Sequence, residues 1–141
     1  MSIEKKDVYE NKPKENSSPN EAEKLREELR RELAFFTGSE NVYKAYPHVM
    51  ITEGVKFLAE RAEAFWLIDV VFSYQTDRKI KQEPFQVYEL TVDLQTKSAK
   101  MVCTDGNENV LRTQNIGFTT FPLESIKLYY TDGVVLLPTE Y

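Results

Sequence analysis

The stretch IKLYYTDGVVLL, residues 126–137, decides the fold of this chain. Two runs rich in β-branched and aromatic residues flank Asp132-Gly133, and Asp-Gly in that setting strongly indicates a two-residue hairpin turn, because both central residues must accept positive φ. The stretch therefore predicts two antiparallel strands that share one core-facing surface. The predicted facing pairs are Thr131 with Val134, Tyr130 with Val135 and Leu128 with Leu137.

The tripeptide inside this turn, Thr followed by an acidic residue and Gly, occurs three times and uses three of the five glycines. The copy at Thr52 is predicted to start a helix, since a threonine hydroxyl caps free amides and an acidic residue is favoured in the first turn. The copy at Thr104 is predicted to lead into a loop, residues 105–109, and the copy at Thr131 forms the hairpin. The pattern therefore indicates turns and caps, not one carboxylate site.

Alternating apolar and polar residues predict strands upstream of the hairpin. The alternation begins at Phe85 and is predicted to bury Tyr88, Leu90, Val92 and Leu94. A second strand is predicted to carry Ala99, Met101 and Cys103 on its inner face, and a third to span residues 110–118. With the hairpin, these strands make an antiparallel meander of about five strands.

Helices are predicted in the first half of the chain. Ser18 opens a capping box and Gly38 ends the first helix, which runs to about Phe36. Residues 39–46 are predicted to form a short helical turn closed by Pro47, because the residue before a proline is biased away from helical angles.

The most apolar segment, residues 65–74, is predicted to be a helix that follows the one starting near Thr52. A helix is preferred there because Asp69 and Ser73, four residues apart, then share one face. The predicted fold class is α+β, with two to three N-terminal helices packed on one face of the C-terminal meander. Residues 1–17 are predicted to be a disordered tail, because they contain almost nothing apolar, and residues 18–141 a single domain.

Charge and composition narrow the functional classes. The net charge of −5 argues against nucleic-acid binding, which normally requires a basic patch. The longest apolar run, residues 64–72, is far shorter than the roughly 20 residues that span a bilayer. A single cysteine and the lack of a secretory signal at the start of the sequence favour a reducing, cytoplasmic setting.

Nucleophilic catalysis and zinc binding find little support in the residue types present. The chain has one histidine, His48, and one cysteine, Cys103, far apart in sequence. Zinc sites need several such ligands close together. Cys103 is expected to be a small core residue, since the strand alternation points it inward. No metal ion and no cofactor are therefore predicted.

A calcium site in the loop after Thr104 is also disfavoured. Asp105, Asn107 and Asn109 occupy the first, third and fifth places of an EF-hand loop. Val110 then stands where that loop needs glycine, and Ile116 where it needs a bidentate glutamate. The segment is predicted to be a strand-connecting loop.

From Leu25 onward the chain resembles a family of small bacterial and phage proteins known only as a domain of unknown function. The ending, IKLYYTDGVVLLPTEY, carries the most specific part of this resemblance. The resemblance implies an accessory protein of a phage or mobile element, and it brings no activity or catalytic residue. The other segments that carry it are LRRELAFFTG (29–38), TEGVKFLAE (52–60), AFWLID (64–69) and FQVY (85–88).

The leading functional prediction is a non-enzymatic module that binds a protein, with host machinery such as a defence system as the partner if the chain comes from a phage. Aromatic side chains favour interfaces, and the predicted binding residues are Tyr43, Tyr46, Tyr129 and Tyr141. A homodimer formed through the sheet edge at residues 134–137 is a further hypothesis.

The alternative is an enzyme that uses carboxylates and a divalent metal ion. Asp69 is its first candidate, because a carboxylate in so apolar a segment must find a partner, reach solvent or stay neutral. Glu53 or Asp105 would supply the second carboxylate.

Overall fold

The computed structural model describes residues 19–38 and 40–141, so the predicted tail and the capping residue Ser18 lie outside the described residues. Helix α1 spans Pro19–Leu33 and ends about three residues before the predicted end. Gly38 follows with a φ of 60°, the left-handed conformation that suits glycine after a helix.

The residues after α1 belong to a compact unit, Glu32–Tyr141, that holds a seven-stranded sheet and further helices. In chain order its elements are β1 (Val42–Tyr46), β2 (Val49–Thr52), α2 (Glu53–Arg61), α3 (Phe65–Tyr74), α4 (Arg78–Lys81), β3 (Phe85–Asp93), β4 (Ser98–Thr104), β5 (Val110–Ile116), β6 (Ser125–Thr131), β7 (Val134–Leu136) and a 3₁₀ turn (Pro138–Glu140).

The sheet has the strand order β1-β2-β7-β6-β3-β4-β5. The α+β class is confirmed, but the five-stranded antiparallel meander is wrong: the described residues form seven strands, and β2 runs parallel to β7. That pairing joins Met50 to Val134 and Ile51 to Val135. Local periodicity carries no signal for a contact between residues so far apart in sequence.

The predicted helical turn at residues 39–46 is also wrong, because this segment contains strand β1. β1 pairs with β2 as a hairpin whose turn contains Pro47 and His48. His48 takes a φ of 69°, a conformation that few residues other than glycine adopt. The bias of a residue before proline towards extended angles is met here by Tyr46, the last residue of β1.

The final hairpin has the predicted register. Tyr130 faces Val135 and Thr131 faces Val134, while Asp132 and Gly133 have φ angles of 54° and 77°. The predicted pair of Leu128 and Leu137 does not form, since β7 ends at Leu136. β7 lies between β6 and β2, so residues 134–136 are not a sheet edge, and the predicted dimer contact at that position is wrong in its premise.

Helix α3 packs on one face of the sheet. The side chains of β3 alternate, and Gln86, Tyr88, Leu90 and Val92 are buried. The ring of Tyr74 on α3 lies 5.7 Å from that of Tyr88. The predicted helix over residues 65–74 is confirmed. The intervening residues of β3 point to the opposite side of the sheet, which we call the open face.

Candidate functional site

Three aromatic rings, those of Phe85, Tyr129 and Tyr141, lie together on the open face, and we call them the aromatic cluster. The ring centroids of Phe85 and Tyr129 are 4.9 Å apart, and Tyr141 lies 5.3 Å from Phe85 and 5.6 Å from Tyr129. The rings meet at steep angles, the edge-to-face arrangement that aromatic pairs favour. Tyr141 is still 74% exposed. The cluster thus combines a packed base with an aromatic side chain available to a partner.

The residue before Tyr141 is tied to the start of α2. Glu140 is only 7% exposed. Its Oε1 accepts hydrogen bonds from the Thr52 hydroxyl (2.6 Å) and the Leu137 amide (2.9 Å), and its Oε2 accepts one from the Gly54 amide (3.0 Å). A helix N-terminus has free amides and a positive dipole end, so a carboxylate is stabilised there. We call this set of contacts the Glu140 clasp.

Gly54 leaves the space that the clasp occupies. A Cβ atom at this position would lie 2.6 Å from Leu137 Cδ1 and 2.8 Å from Glu140 Cδ. Thr52 meanwhile caps α2 as predicted, with its hydroxyl accepting from the Val55 amide at 3.3 Å. The first copy of the repeated tripeptide is therefore both a helix start, as predicted, and the receptor for a buried carboxylate, which was not predicted.

The second copy of the tripeptide reaches the aromatic cluster as well. Gly106, at a φ of 87°, leaves room for the ring of Phe85, which would lie 3.0 Å from a Cβ atom. Asp105 holds this loop through hydrogen bonds from the Asn109 side chain (2.8 Å) and the Asn107 amide (2.8 Å). These bonds, led by that of Asn109, lower the pKa of Asp105. The predicted strand-connecting loop is confirmed, and its carboxylate is engaged within the loop.

The other two predicted tyrosines lie elsewhere. Tyr46 stacks on Phe72 of α3, with ring centroids 4.3 Å apart and planes inclined by 10°. Tyr43 is 38% exposed, and the Lys56 ammonium lies 5.3 Å from its ring centroid. Both tyrosines line a groove of about 340 Å³ beside α3, which Asp69 also lines. The structure thus separates the four predicted binding residues into two pairs.

A cleft of about 600 Å³ lies between the two hairpin turns. His48 and Asp132 line it from the turns, Phe72 and Lys81 from the helices. Buried Gln86 also lines it. Its amide nitrogen donates to the Ile80 carbonyl at 2.9 Å, and its amide oxygen accepts from Gln75 and from the Tyr88 hydroxyl. A buried amide needs such partners, and burial also raises the pKa of Tyr88.

The carboxylates proposed for an enzyme have separate surroundings. Asp69 is exposed on α3, and Glu53 accepts a hydrogen bond from the Asn41 side chain at 3.1 Å. Asp105 lies in the loop after β4. Within residues 19–38 and 40–141, no three histidine, cysteine, aspartate or glutamate side chains come close enough together to hold a metal ion.

The two residues considered for nucleophilic chemistry are also in different environments. His48 is exposed in its turn, whereas Cys103 is buried on β4, as the alternation predicted. Burial raises the pKa of the Cys103 thiol to about 11, so at neutral pH very little of it is the reactive thiolate.

Phe85 of the aromatic cluster and Glu140 of the Glu140 clasp have no strong signal in the sequence. Phe85 occupies the first position of a predicted strand, where its face is ambiguous. Glu140 follows Pro138 and resembles any surface glutamate. The one available sign was the Thr-Glu-Gly start of α2, because glycine early in a helix is unfavourable unless space is needed there.

The part of the chain that the structure describes contains no helix of the length and apolar character needed to cross a membrane. No curated protein and no solved structure matches the chain. The model of a family of unknown function, DUF6876, matches residues 27–141. Since this match covers far more than half of the sequence, the chain belongs to the family of unknown function DUF6876.

Proposed function

We propose that the protein is a non-enzymatic interaction module that binds another protein through the aromatic cluster on the open face of its sheet. The observation that carries this proposal is Tyr141, which is 74% exposed and yet fixed between Phe85, Tyr129 and the neighbouring Glu140 clasp. Removing so large an aromatic side chain from water on binding is favourable, because it lowers the free energy of the complex.

Preorganisation supports this assignment. Ordering a flexible side chain on binding costs about 0.5–1.5 kcal/mol, and a side chain that is already held avoids much of that cost. The clasp fixes the backbone next to Tyr141, and the rings of Phe85 and Tyr129 restrict its side chain. Tyrosine is also among the residues enriched at the energetic centres of interfaces.

The partner in this proposal is a host protein, including a component of a defence system, if the chain is an accessory protein of a phage or mobile element. The resemblance in sequence motivates this context. The groove lined by Tyr43 and Tyr46 is a separate contact surface in this proposal, because it lies beside α3 whereas the aromatic cluster lies on the open face.

Affinity capture from lysate of the source cells tests the proposal. The bait chains are the full protein, a chain lacking residues 1–17, and the variants Tyr141→Ala and Tyr129→Ala. Phe35→Ala is the matched control, because Phe35 is 79% exposed and lies outside the cluster. We expect one protein that the full chain and the control retain and the two tyrosine variants lose. Equal recovery by all variants would remove the cluster from the proposal, and recovery of no specific protein would count against binding altogether.

The alternative proposal, an enzyme using Asp69 with Glu53 or Asp105, makes a different prediction. It requires a divalent metal ion at the carboxylates. Titration calorimetry with Mg²⁺ and Mn²⁺ separates the two proposals: saturable binding that Asp69→Asn abolishes favours the enzyme, and the absence of heat favours the interaction module.

A further inference from the structure

The two edges of the sheet, β1 and β5, differ in how well they are protected. An edge strand presents unpaired backbone amides and carbonyls, and proteins usually shield it with lysine, proline, bulges or short length. β1 is five residues long, contains Lys44, and has a register shift between Lys44 and Tyr46. β5 is seven residues long and contains neither lysine nor proline.

Most of β5 is also regular. Residues 112–116 pair with β4 without interruption, and the register shift lies beyond them, where Thr104 pairs with Val110. On the helix side, the strand is anchored to α3: the Tyr74 hydroxyl donates to Gln114 Oε1 at 2.6 Å, and the Arg112 guanidinium lies 4.6 Å from the Tyr74 ring centroid. The outer edge of β5 is therefore held in an extended shape, ready to accept another strand.

Exposed apolar side chains stand at both ends of this segment. Val110 is 56% exposed and Phe118 is 67% exposed. They flank the regular segment symmetrically, each four residues from its centre at Gln114. Ile116 and Phe118 also line a groove of about 320 Å³ together with Trp66.

We infer that β5 is a docking edge for a second copy of this chain, which adds its own β5 in antiparallel orientation about a two-fold axis at Gln114. Facing residues of antiparallel strands have their side chains on the same face, so a two-fold axis perpendicular to the sheet lies midway between the two copies of one residue. Gln114 is that residue, because it is the centre of the regular segment. Thr113 then lies opposite Asn115 of the second copy, and Arg112 opposite Ile116. The two sheets become one continuous sheet.

Self-complementarity favours a second copy over an unrelated strand. An isologous interface requires that one surface match itself. The end of β5 that carries Val110 meets the end that precedes Phe118 in the other copy, so the exposed apolar residues gather at the two ends of the interface. Like charges directly opposite each other destabilise paired strands. Arg112 is the only charged residue in β5, and the proposed register does not place it opposite its own copy.

The interface is small. Five paired residues span about 17 Å at roughly 3.4 Å per residue. A contact this short buries little surface, so the interface belongs to the weak class that buries less than about 1,200 Å². Dimerisation should therefore depend on concentration. Sedimentation equilibrium of the full chain between about 10 µM and 1 mM, a range that spans weak dissociation constants, should show the average mass rising from 16.4 kDa towards twice that value.

Paired charges at two exposed positions test the register. The double variant Thr113→Lys/Asn115→Lys places like charges opposite each other and should remain monomeric, as should Thr113→Glu/Asn115→Glu. A one-to-one mixture of the two should form dimers again. Thr113→Lys/Asn115→Glu pairs opposite charges in its own homodimer and should associate roughly two- to thirtyfold more tightly than the wild type, since two such pairs form across the interface. Lys44→Glu, on the other edge, is the control and should dimerise like the wild type.

Circular dichroism verifies that each variant is folded. A wild-type chain that stays monomeric up to about 1 mM would overturn the inference. Dimers that persist in the double lysine variant would place the interface elsewhere. Failure of the mixed variants to associate would overturn the two-fold register at Gln114.

Discussion

The carboxylate of Glu140 accepts a hydrogen bond of 2.6 Å from the hydroxyl of Thr52, 88 residues earlier in the chain. This bond connects the 3₁₀ turn after the last strand to Thr52, the residue that caps α2. The Gly54 amide donates to the other oxygen of the same carboxylate. A helix start and the aromatic cluster next to Glu140 are thereby linked, so the position of Tyr141 depends on residues in the first half of the sequence.

Glu140→Ala should lower the free energy of unfolding by about 2–3 kcal/mol, because removing a buried acceptor leaves several donors without partners. Urea unfolding followed by circular dichroism measures this change. Glu60→Ala is the control: Glu60 is 53% exposed in its ion pair with Lys56, and such surface pairs contribute about 0–1 kcal/mol. Equal losses in the two variants would show that the clasp has no special weight.

Gly54→Ala should be destabilising although alanine is the better helix former. The new methyl group would lie 2.6 Å from Leu137 Cδ1 and 2.8 Å from the Glu140 carboxylate, and overpacking of this kind costs about 1–3 kcal/mol. Thermal unfolding of Gly117→Ala provides the comparison, because a Cβ atom there meets no heavy atom within 4 Å. A Gly54→Ala protein as stable as the wild type would mean that the clasp shifts without cost.

Much of the fold follows from local sequence patterns. Asp132-Gly133 predicted the final register, and Thr52 predicted the start of α2, because turn and cap chemistry acts within a few residues. The β1–β2 hairpin and the parallel pairing of Met50 with Val134 escaped prediction. Short strands with weak alternation leave little local signal, and their place in the sheet depends on strands far along the chain.

The site was harder to predict than the fold. Tyr129 and Tyr141 were selected as aromatic residues that favour interfaces, and the structure brings them together with Phe85. Tyr43 and Tyr46 were selected for the same reason, but they lie in a groove beside α3. Residue type indicates what a side chain is able to do, whereas its neighbours are set by strand order, which composition does not contain.

Gln86→Leu should destabilise the protein by about 2–4 kcal/mol, even though leucine is apolar and of similar size. The Gln86 side chain is 1% exposed and shares hydrogen bonds with Gln75, the Tyr88 hydroxyl and the Ile80 carbonyl. Each buried partner left unpaired costs about 1–3 kcal/mol. Urea unfolding again measures the change, with Gln82→Leu, at an exposed position, as the control. A stable Gln86→Leu protein would indicate that water replaces the amide.

Cys103 should resist alkylation in the folded protein. Burial raises its pKa from 9.0 to about 11, so the thiolate fraction at pH 8 is about 100-fold lower than in the unfolded chain. The pKa of the thiol is higher in the folded protein than in the unfolded chain, so the thiol's contribution to stability is fully present below pH 9. This contribution is lost as the pH rises through about 11, because the buried thiol must then ionise. Iodoacetamide labelling followed by mass spectrometry should be more than 100-fold slower in buffer than in urea. Rapid labelling in buffer would show that β4 opens readily.

The most direct test of the account is the affinity of the captured partner for Tyr141→Ala, measured by titration calorimetry beside the wild type and Phe35→Ala. If the aromatic cluster is the centre of the interface, removing the Tyr141 ring should cost about 2 kcal/mol or more, a loss of roughly 30-fold in affinity. Phe35→Ala should bind within about threefold of the wild type. A Tyr141→Ala protein that binds as tightly as the wild type would contradict the assignment of the open face as the binding surface.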